Sequence, residues 1–159
     1  MRTTEIERKF LVLPEYRSEL AKAEGVYLRQ GYLSTDPSKT IRIRIKNDQA
    51  FLTVKGLTSG ISRTEIETAI SVSSAEALFD AFITHEIQKI RRNILIDGKC
   101  WEVDEFLGRH QGLWVAEIEL ETIEEAFTLP AWAGREVSTE KEYFNSYLSD
   151  HGLNGIALV

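Results

Sequence analysis

Charged side chains recur at every second position through most of this 159-residue chain. One set reads Glu5, Glu7, Lys9, then Arg42, Arg44, Lys46, then Thr53, Lys55, then Arg63, Glu65, Glu67. It continues with Lys89, Arg91, then Glu102, Asp104, then Glu117, Glu119, Glu121, for eight basic and nine acidic groups in all. The residues between them are apolar in four of the runs: Ile41, Ile43, Ile45; Leu52, Val54; Trp101, Val103; Ala116, Ile118, Leu120. Alternate residues of a β-strand point to opposite faces, so these runs read as strands with one charged face and one oily face. Guanidinium and ammonium groups gathered with carboxylates suit a polyanion bound together with hard divalent cations such as Mg²⁺ or Mn²⁺. The carboxylates alone would repel such an anion. A metal that bridges carboxylate and phosphate removes that conflict and neutralises charge developing in phosphoryl transfer.

A half-exposed antiparallel sheet, oily face inward and charged face to water, would produce a similar pattern. Two features favour a tunnel. The charged positions are almost all carboxylate, guanidinium or ammonium, with little of the Ser, Thr, Asn and Gln that a solvated face mixes in. The signs are also sorted by strand, with acids concentrated on the first and last, bases on the third, fourth and sixth, and both on the fifth. If the strands close into a barrel, the charged face lines a wet interior and the oily face is covered by helices. The i, i+2 pairs Glu5 with Glu7 and Glu117 with Glu119 can each aim two carboxylates at one place, although such pairs are common on ordinary strand faces.

The elements that must position these residues are punctuated by Asp36-Pro37, Asn47-Asp48, Ser59-Gly60, Asp97-Gly98 and the Gly108 to Gly112 stretch. Strands are expected near 4–13, 26–34, 40–46, 50–55, 61–70, 87–97, 100–107 and 113–121. Helices are expected over 14–24, with a proline suited to the first turn, over 74–82 with a serine cap, and over 139–150. Pro130 and Gly134 break the region 123–137, which has no clear assignment. The fold class is thus mainly β (α+β), with helices outside an eight-stranded antiparallel barrel.

The length suits one domain over residues 1–159. With 43% hydrophobic and 28% charged residues, the composition is that of a folded chain. A net charge of -6 argues against binding nucleic acid through bulk positive potential. No apolar run approaches the roughly 20 residues needed to span a bilayer. One cysteine, Cys100, excludes an internal disulfide, and the acidic and basic residues near the start interrupt any signal segment, so a cytoplasmic location is expected. Cys100 lacks an evident base partner and reads as inert. His85, His110 and His151 lack metal-ligand spacing and read as surface or capping groups.

Glu5-Ile6-Glu7-Arg8-Lys9 matches the ExExK signature of the CYTH superfamily. The rest follows in family order: Leu28 to Leu33, Arg42 with Arg44, Thr53 to Lys55, Arg63 with Glu65 and Glu67, Lys89 with Arg91, Val103-Asp104, Val115 to Glu119, and Lys141 to Asn145. Across nearly its whole length the chain resembles the short bacterial triphosphate tunnel metalloenzymes. That resemblance implies an eight-stranded closed tunnel whose C-terminal helix plugs one mouth. It implies metal, Mg²⁺ or Mn²⁺, on Glu5, Glu7, Glu117 and Glu119, supported by Asp104. Phosphates would be held by Lys9, Arg42, Arg44, Lys55, Lys89 and Arg91, with Lys141 near the plug and Tyr32 restricting the tunnel. Glu65 and Glu67 match acids associated with a second metal or the attacking water, and with Lys9, Lys89 and Arg91 they form the expected catalytic set.

The implied activity is metal-dependent hydrolysis of inorganic triphosphate to diphosphate and phosphate, by a monomer or homodimer with no nucleic-acid or membrane partner. Adenylate cyclisation, nucleoside or thiamine triphosphate hydrolysis, and a noncatalytic polyphosphate-binding module are the competing readings. Strand parity itself is testable at neighbouring arginines. Arg91→Ala should strongly reduce triphosphate turnover, whereas Arg92→Ala, on the opposite face, should leave it nearly intact in folded protein. Equal inactivation of the two would refute the parity assigned to that strand.

Overall fold

The computed structural model describes residues 2–159. In chain order it contains β1 (Arg2–Val12), α1 (Pro14–Leu20), β2 (Gly25–Asp36), β3 (Lys39–Lys46), β4 (Gln49–Gly56), β5 (Ser62–Ile70) and α2 (Val72–Phe82). There follow β6 (Glu86–Ile96), β7 (Lys99–Phe106), β8 (Trp114–Glu119), β9 (Ala133–Glu136) and α3 (Asn145–His151), with 3₁₀ turns at Gly108–His110 and Lys141–Tyr143. The strands are joined antiparallel in the order β5-β4-β3-β2-β6-β7-β8-β1, and pairing of β1 with β5 closes the barrel. β1 makes that closure by dividing its length: Arg2 to Ile6 pair with β5, and Glu7 to Leu11 pair with β8. β9 pairs with β1 at Phe10 and Val12.

The hairpins form where the turn residues tolerate left-handed backbone. Asn47 (φ 54°) turns β3 into β4, and Asp97 with Gly98 (φ 48° and 78°) turns β6 into β7. α2 starts at Val72, two residues earlier than the serine pattern suggests, because Ser71 Oγ accepts the Ser74 N–H at 3.0 Å as its cap. It sits on the barrel with Ala75 and Phe79 against Ile43 and Ala50. Gly31 of β2 permits this approach: a Cβ there would lie 2.5 Å from Ile83 Cγ2 and 3.1 Å from Phe79 Cε1.

The outer face buries Phe10, Val12, Trp101, Val103, Ala116 and Ile118. Much of their cover is not helical. Phe127 and Trp132, from the segment left unassigned by sequence, stack edge-on against Trp101 at ring-centroid distances of 5.7 and 5.4 Å. The same segment supplies β9, a ninth strand that its four-residue length and flanking breakers conceal. The expected helix over 139–150 is instead a 3₁₀ turn followed by the shorter α3.

The inner face changes character along the barrel. Leu11, Ile87, Phe106 and Val115 share strand parity with Lys9, Lys89, Asp104 and Glu117, yet they pack with Tyr143 and Leu148 into an apolar cluster. That cluster seats α3 across one end. His110 belongs to this seat: of the surface or capping roles expected it does not take the surface one, being fully buried, and its Nε2 lies 2.6 Å from the carbonyl oxygen of Leu148 in α3. No described helix is long and apolar enough to cross a membrane.

Trp101 is the middle of the outer cluster and is wholly buried. Trp101→Ala should therefore cost about 3–5 kcal/mol of stability, read from urea unfolding. A loss below about 1 kcal/mol would mean that this patch is not a packed core.

Candidate active site

The inward side chains enclose a cavity of about 300 Å³, closed at one end by Phe144, Asn145 and Ser146. Each of the eight barrel strands contributes through its alternation. β1 supplies Glu5, Glu7 and Lys9; β3 supplies Arg42 and Arg44; β4 supplies Lys55. β5 adds Arg63, Glu65 and Glu67; β6 adds Arg91; β7 adds Glu102; β8 adds Glu117 and Glu119; β2 adds Tyr32. These residues come from positions up to 114 apart in the chain, brought together by the closed register that sets Glu7 opposite Glu119 and Lys9 opposite Glu117.

Most of these charges neutralise one another. Lys55 Nζ lies 2.8 Å from Glu5 Oε2 and 3.1 Å from Glu65 Oε2, and Arg63 approaches Glu5 at 3.4 Å. Lys9 Nζ is 3.3 Å from Glu117 Oε1, donates to the Tyr143 carbonyl at 3.3 Å and sits 5.4 Å from the Phe144 ring centroid. Thr53 Oγ1 donates to Glu67 Oε2 at 2.8 Å and accepts from Arg42 Nη2 at 3.1 Å. Arg91 grips Asp104 through Nε and Nη2 at 2.7 and 2.8 Å and also meets Glu102.

Two carboxylates, one guanidinium and the exposed ammonium of Lys46 stand outside this pairing among the described residues. Glu7 has no ion-pair partner among the described residues. Burial, then the Glu117 and Glu5 carboxylates, push it up to about 8. Glu119 is raised by burial and by Glu5, Glu102 and Glu65. Glu117 goes the other way: burial raises it, but Lys9, Arg91 and Lys89 together hold it well below the usual carboxylate range. Glu5 is likewise lowered, since Lys55 and Arg63 outweigh burial. Arg44 lacks a carboxylate partner among the described residues. Burial first, then Arg42 and Arg91, bring it down to about 9.

The donor set fits a hard divalent cation. Glu5, Glu7, Glu117 and Glu119 bring four carboxylates to one cavity, and the crowding that raises Glu7 is of the kind a bound cation relieves. No group of three described ligands is already drawn into a closed cage, consistent with Lys55 and Lys9 occupying two of the four carboxylates.

Three expected residues lie elsewhere. Lys89 and Asp104 are buried behind the cavity wall, with Lys89 Nζ 2.7 Å from Asp104 Oδ2 and 3.2 Å from Asn145 Oδ1. Burial, only partly offset by Asp104, lowers Lys89 to about 7. Lys141 is exposed in its 3₁₀ turn and does not line the cavity. Arg92 points away from the cavity, donating to Glu105 Oε2 at 2.7 Å and lying over Trp114. Sequence reasoning did not single out Gln30, Phe144, Asn145 or Ser146. Gln30 shares parity with Tyr32 and Leu28 and was findable on that ground, whereas the plug residues have no strand period to betray them. Cys100 is exposed, with its thiol raised by burial and the Glu102 carboxylate, as suits an inert group.

Comparison with known proteins places these residues in context. The CYTH domain family matches residues 3–150. An inorganic triphosphatase of Acetivibrio thermocellus is 45% identical over 145 residues, covering 91% of this chain and 92% of that protein. An inorganic triphosphatase of Nitrosomonas europaea is 39% identical over 151 residues, covering 92% and 97%. A crystal structure of an inorganic triphosphatase superposes with a TM-score of 0.64 at 36% identity, covering 92% of this chain and 95% of the other. A putative adenylate cyclase from Bacillus halodurans, at 21% identity and TM-score 0.59 over 77% and 83%, shares the fold.

Glu7 makes the carboxylate cluster measurable without an assay. Its folded pKa of about 8 lies above the ordinary value of 4.5, so the folded state binds the extra proton. Below about 4.5 both states are protonated and nothing is lost; between about 4.5 and 8 the ligand-free protein loses stability as pH rises. Glu7→Gln should therefore raise the melting temperature at pH 8.5, with the gain gone near pH 4.5. A gain that does not change with pH would refute the cluster as its cause.

Proposed function

The chain belongs to the CYTH domain family, and on that premise we propose that it hydrolyses inorganic triphosphate to diphosphate and phosphate with the help of Mg²⁺ or Mn²⁺. One observation carries this reading. The cavity holds carboxylates that lack cations, Glu7 and Glu119, together with a guanidinium that lacks an anion, Arg44, so its charge is completed by a metal and a polyanion together. The names carried by the two relatives, each matched over more than nine-tenths of its length, point the same way.

In this reading Glu5, Glu7, Glu117 and Glu119 hold the metal, which when bound neutralises charge on the phosphate oxygens. Arg42, Arg44, Arg91, Lys9 and Lys55 bind the phosphate chain. Lys9 and Lys55, paired here with Glu117 and with Glu5 and Glu65, would be free to bind phosphate when those carboxylates hold a metal, so the pairs seen here are the resting arrangement. Lys89 and Asp104 act through Arg91, which rests on Asp104 and is thereby kept charged and oriented. Glu65 and Glu67 place a water against the terminal phosphorus and accept its proton. The new P–O bond forms as the bridging P–O bond breaks, and diphosphate leaves with the electron pair. Phe144, Asn145 and Ser146 close the far end, and Tyr32 narrows the wall beside them.

Turnover of inorganic triphosphate should depend on added Mg²⁺ or Mn²⁺, and ATP should have a much lower kcat/KM because the cavity is lined mainly by charged groups that address phosphates rather than a base. Phosphate release across a panel of inorganic triphosphate, ATP and thiamine triphosphate, with and without chelator, decides this. Undiminished turnover in excess chelator overturns the metal requirement, and a specificity constant for ATP equal to or above that for triphosphate, or formation of cyclic AMP, overturns the substrate assignment.

A further inference from the structure

Arg44 is held in place by a neutral group. Gln30 of β2 lies directly opposite Arg44 of β3 and is completely buried. Its Oε1 accepts from both Arg44 Nε and Arg44 Nη2, at 3.2 and 3.0 Å. Arginine has only donors, so the amide oxygen must face it, and the amide nitrogen is turned the other way to donate to the Tyr32 hydroxyl at 3.3 Å. Every other recessed arginine or lysine on this face meets a carboxylate: Arg42 with Glu67, Arg91 with Asp104, Lys55 with Glu5, Lys9 with Glu117. An incoming phosphate must displace or compete with those partners, but at Arg44 there is no anion to displace.

We propose that Gln30 is a positioning residue that fixes the Arg44 guanidinium without neutralising it, making Arg44 the cavity's preformed docking point for the phosphate chain. The inference rests on the triphosphate reading above and assigns a role to a side chain outside the charged set. A carboxylate at this position would hold the guanidinium at least as firmly, through stronger charge-assisted bonds. It would also set an anion against the substrate. An apolar side chain of similar length would avoid repulsion but release the guanidinium. Only the amide does both.

The test uses Gln30→Met, Gln30→Glu, Arg44→Met and the double variant Gln30→Met/Arg44→Met. Calorimetry with Mg²⁺ present gives Kd for imidotriphosphate, a triphosphate analogue whose bridging oxygens are replaced by NH, steady-state assays on triphosphate with Mg²⁺ give KM and kcat, and thermal melts confirm folding. Gln30→Met should weaken binding about tenfold, as expected for loss of hydrogen bonds to a charged group, with KM rising more than kcat falls. Because Gln30 acts through Arg44, the double variant should bind within about twofold of Arg44→Met alone. Gln30→Glu should weaken binding at least as much as Gln30→Met while melting no lower than it. Additive losses in the double variant, or wild-type affinity in Gln30→Glu, would overturn the proposal. Wild-type protein that binds no analogue with Mg²⁺ present overturns both this proposal and the functional reading. Protein that binds triphosphate without cleaving it overturns the functional reading alone, and the binding arms still decide the role of Gln30.

Discussion

Taking an ion out of water costs several kcal/mol unless another charge or a full set of hydrogen bonds meets it. A closed barrel with seven charged strands turned inward is therefore governed by how those charges pair. The close pairs of Lys55 with Glu5 and Glu65, Arg91 with Asp104, and Lys9 with Glu117 let the ligand-free chain hold such a lining at all. What they leave unpaired is informative in turn. The Glu7 carboxyl is pushed towards its protonated form and Arg44 leans on an amide, so the resting cavity is deficient in positive charge at one place and in negative charge at another.

The second constraint is the end of the tunnel. On β1, β6, β7 and β8 the same inward parity passes from charged residues to Leu11, Ile87, Phe106 and Val115. That switch lets one end bury an apolar cluster against α3 while the remainder stays wet. A neighbouring chain segment then finishes the site: Phe144 over Lys9 and Asn145 on Lys89 are contacts from the plug to groups on the strands. Lys89 and Asp104 lie just where the two regimes meet. Their burial follows from that position, and it moves them from the cavity surface to a support beneath Arg91.

Read as a sequence, the chain determines the strands, their parity and the existence of a charged inner face, because alternation is a local property carried by each run alone. That is why Arg91 and Arg92, adjacent in sequence, separate correctly to opposite sides, and why the hairpin turns at Asn47 and Asp97 are visible in residue type. β9 and the cover over Trp101 escaped because they have no period and owe their conformation to what they pack against. Tertiary structure alone decided which charges are neutralised, which carboxylate is left crowded by its neighbours, that Lys89, Asp104 and Lys141 lie off the cavity, and that Gln30 holds Arg44. Pairing across a barrel depends on register, tilt and distance between residues far apart in the chain, and those quantities exist only once β1 meets β5 and the sheet is closed.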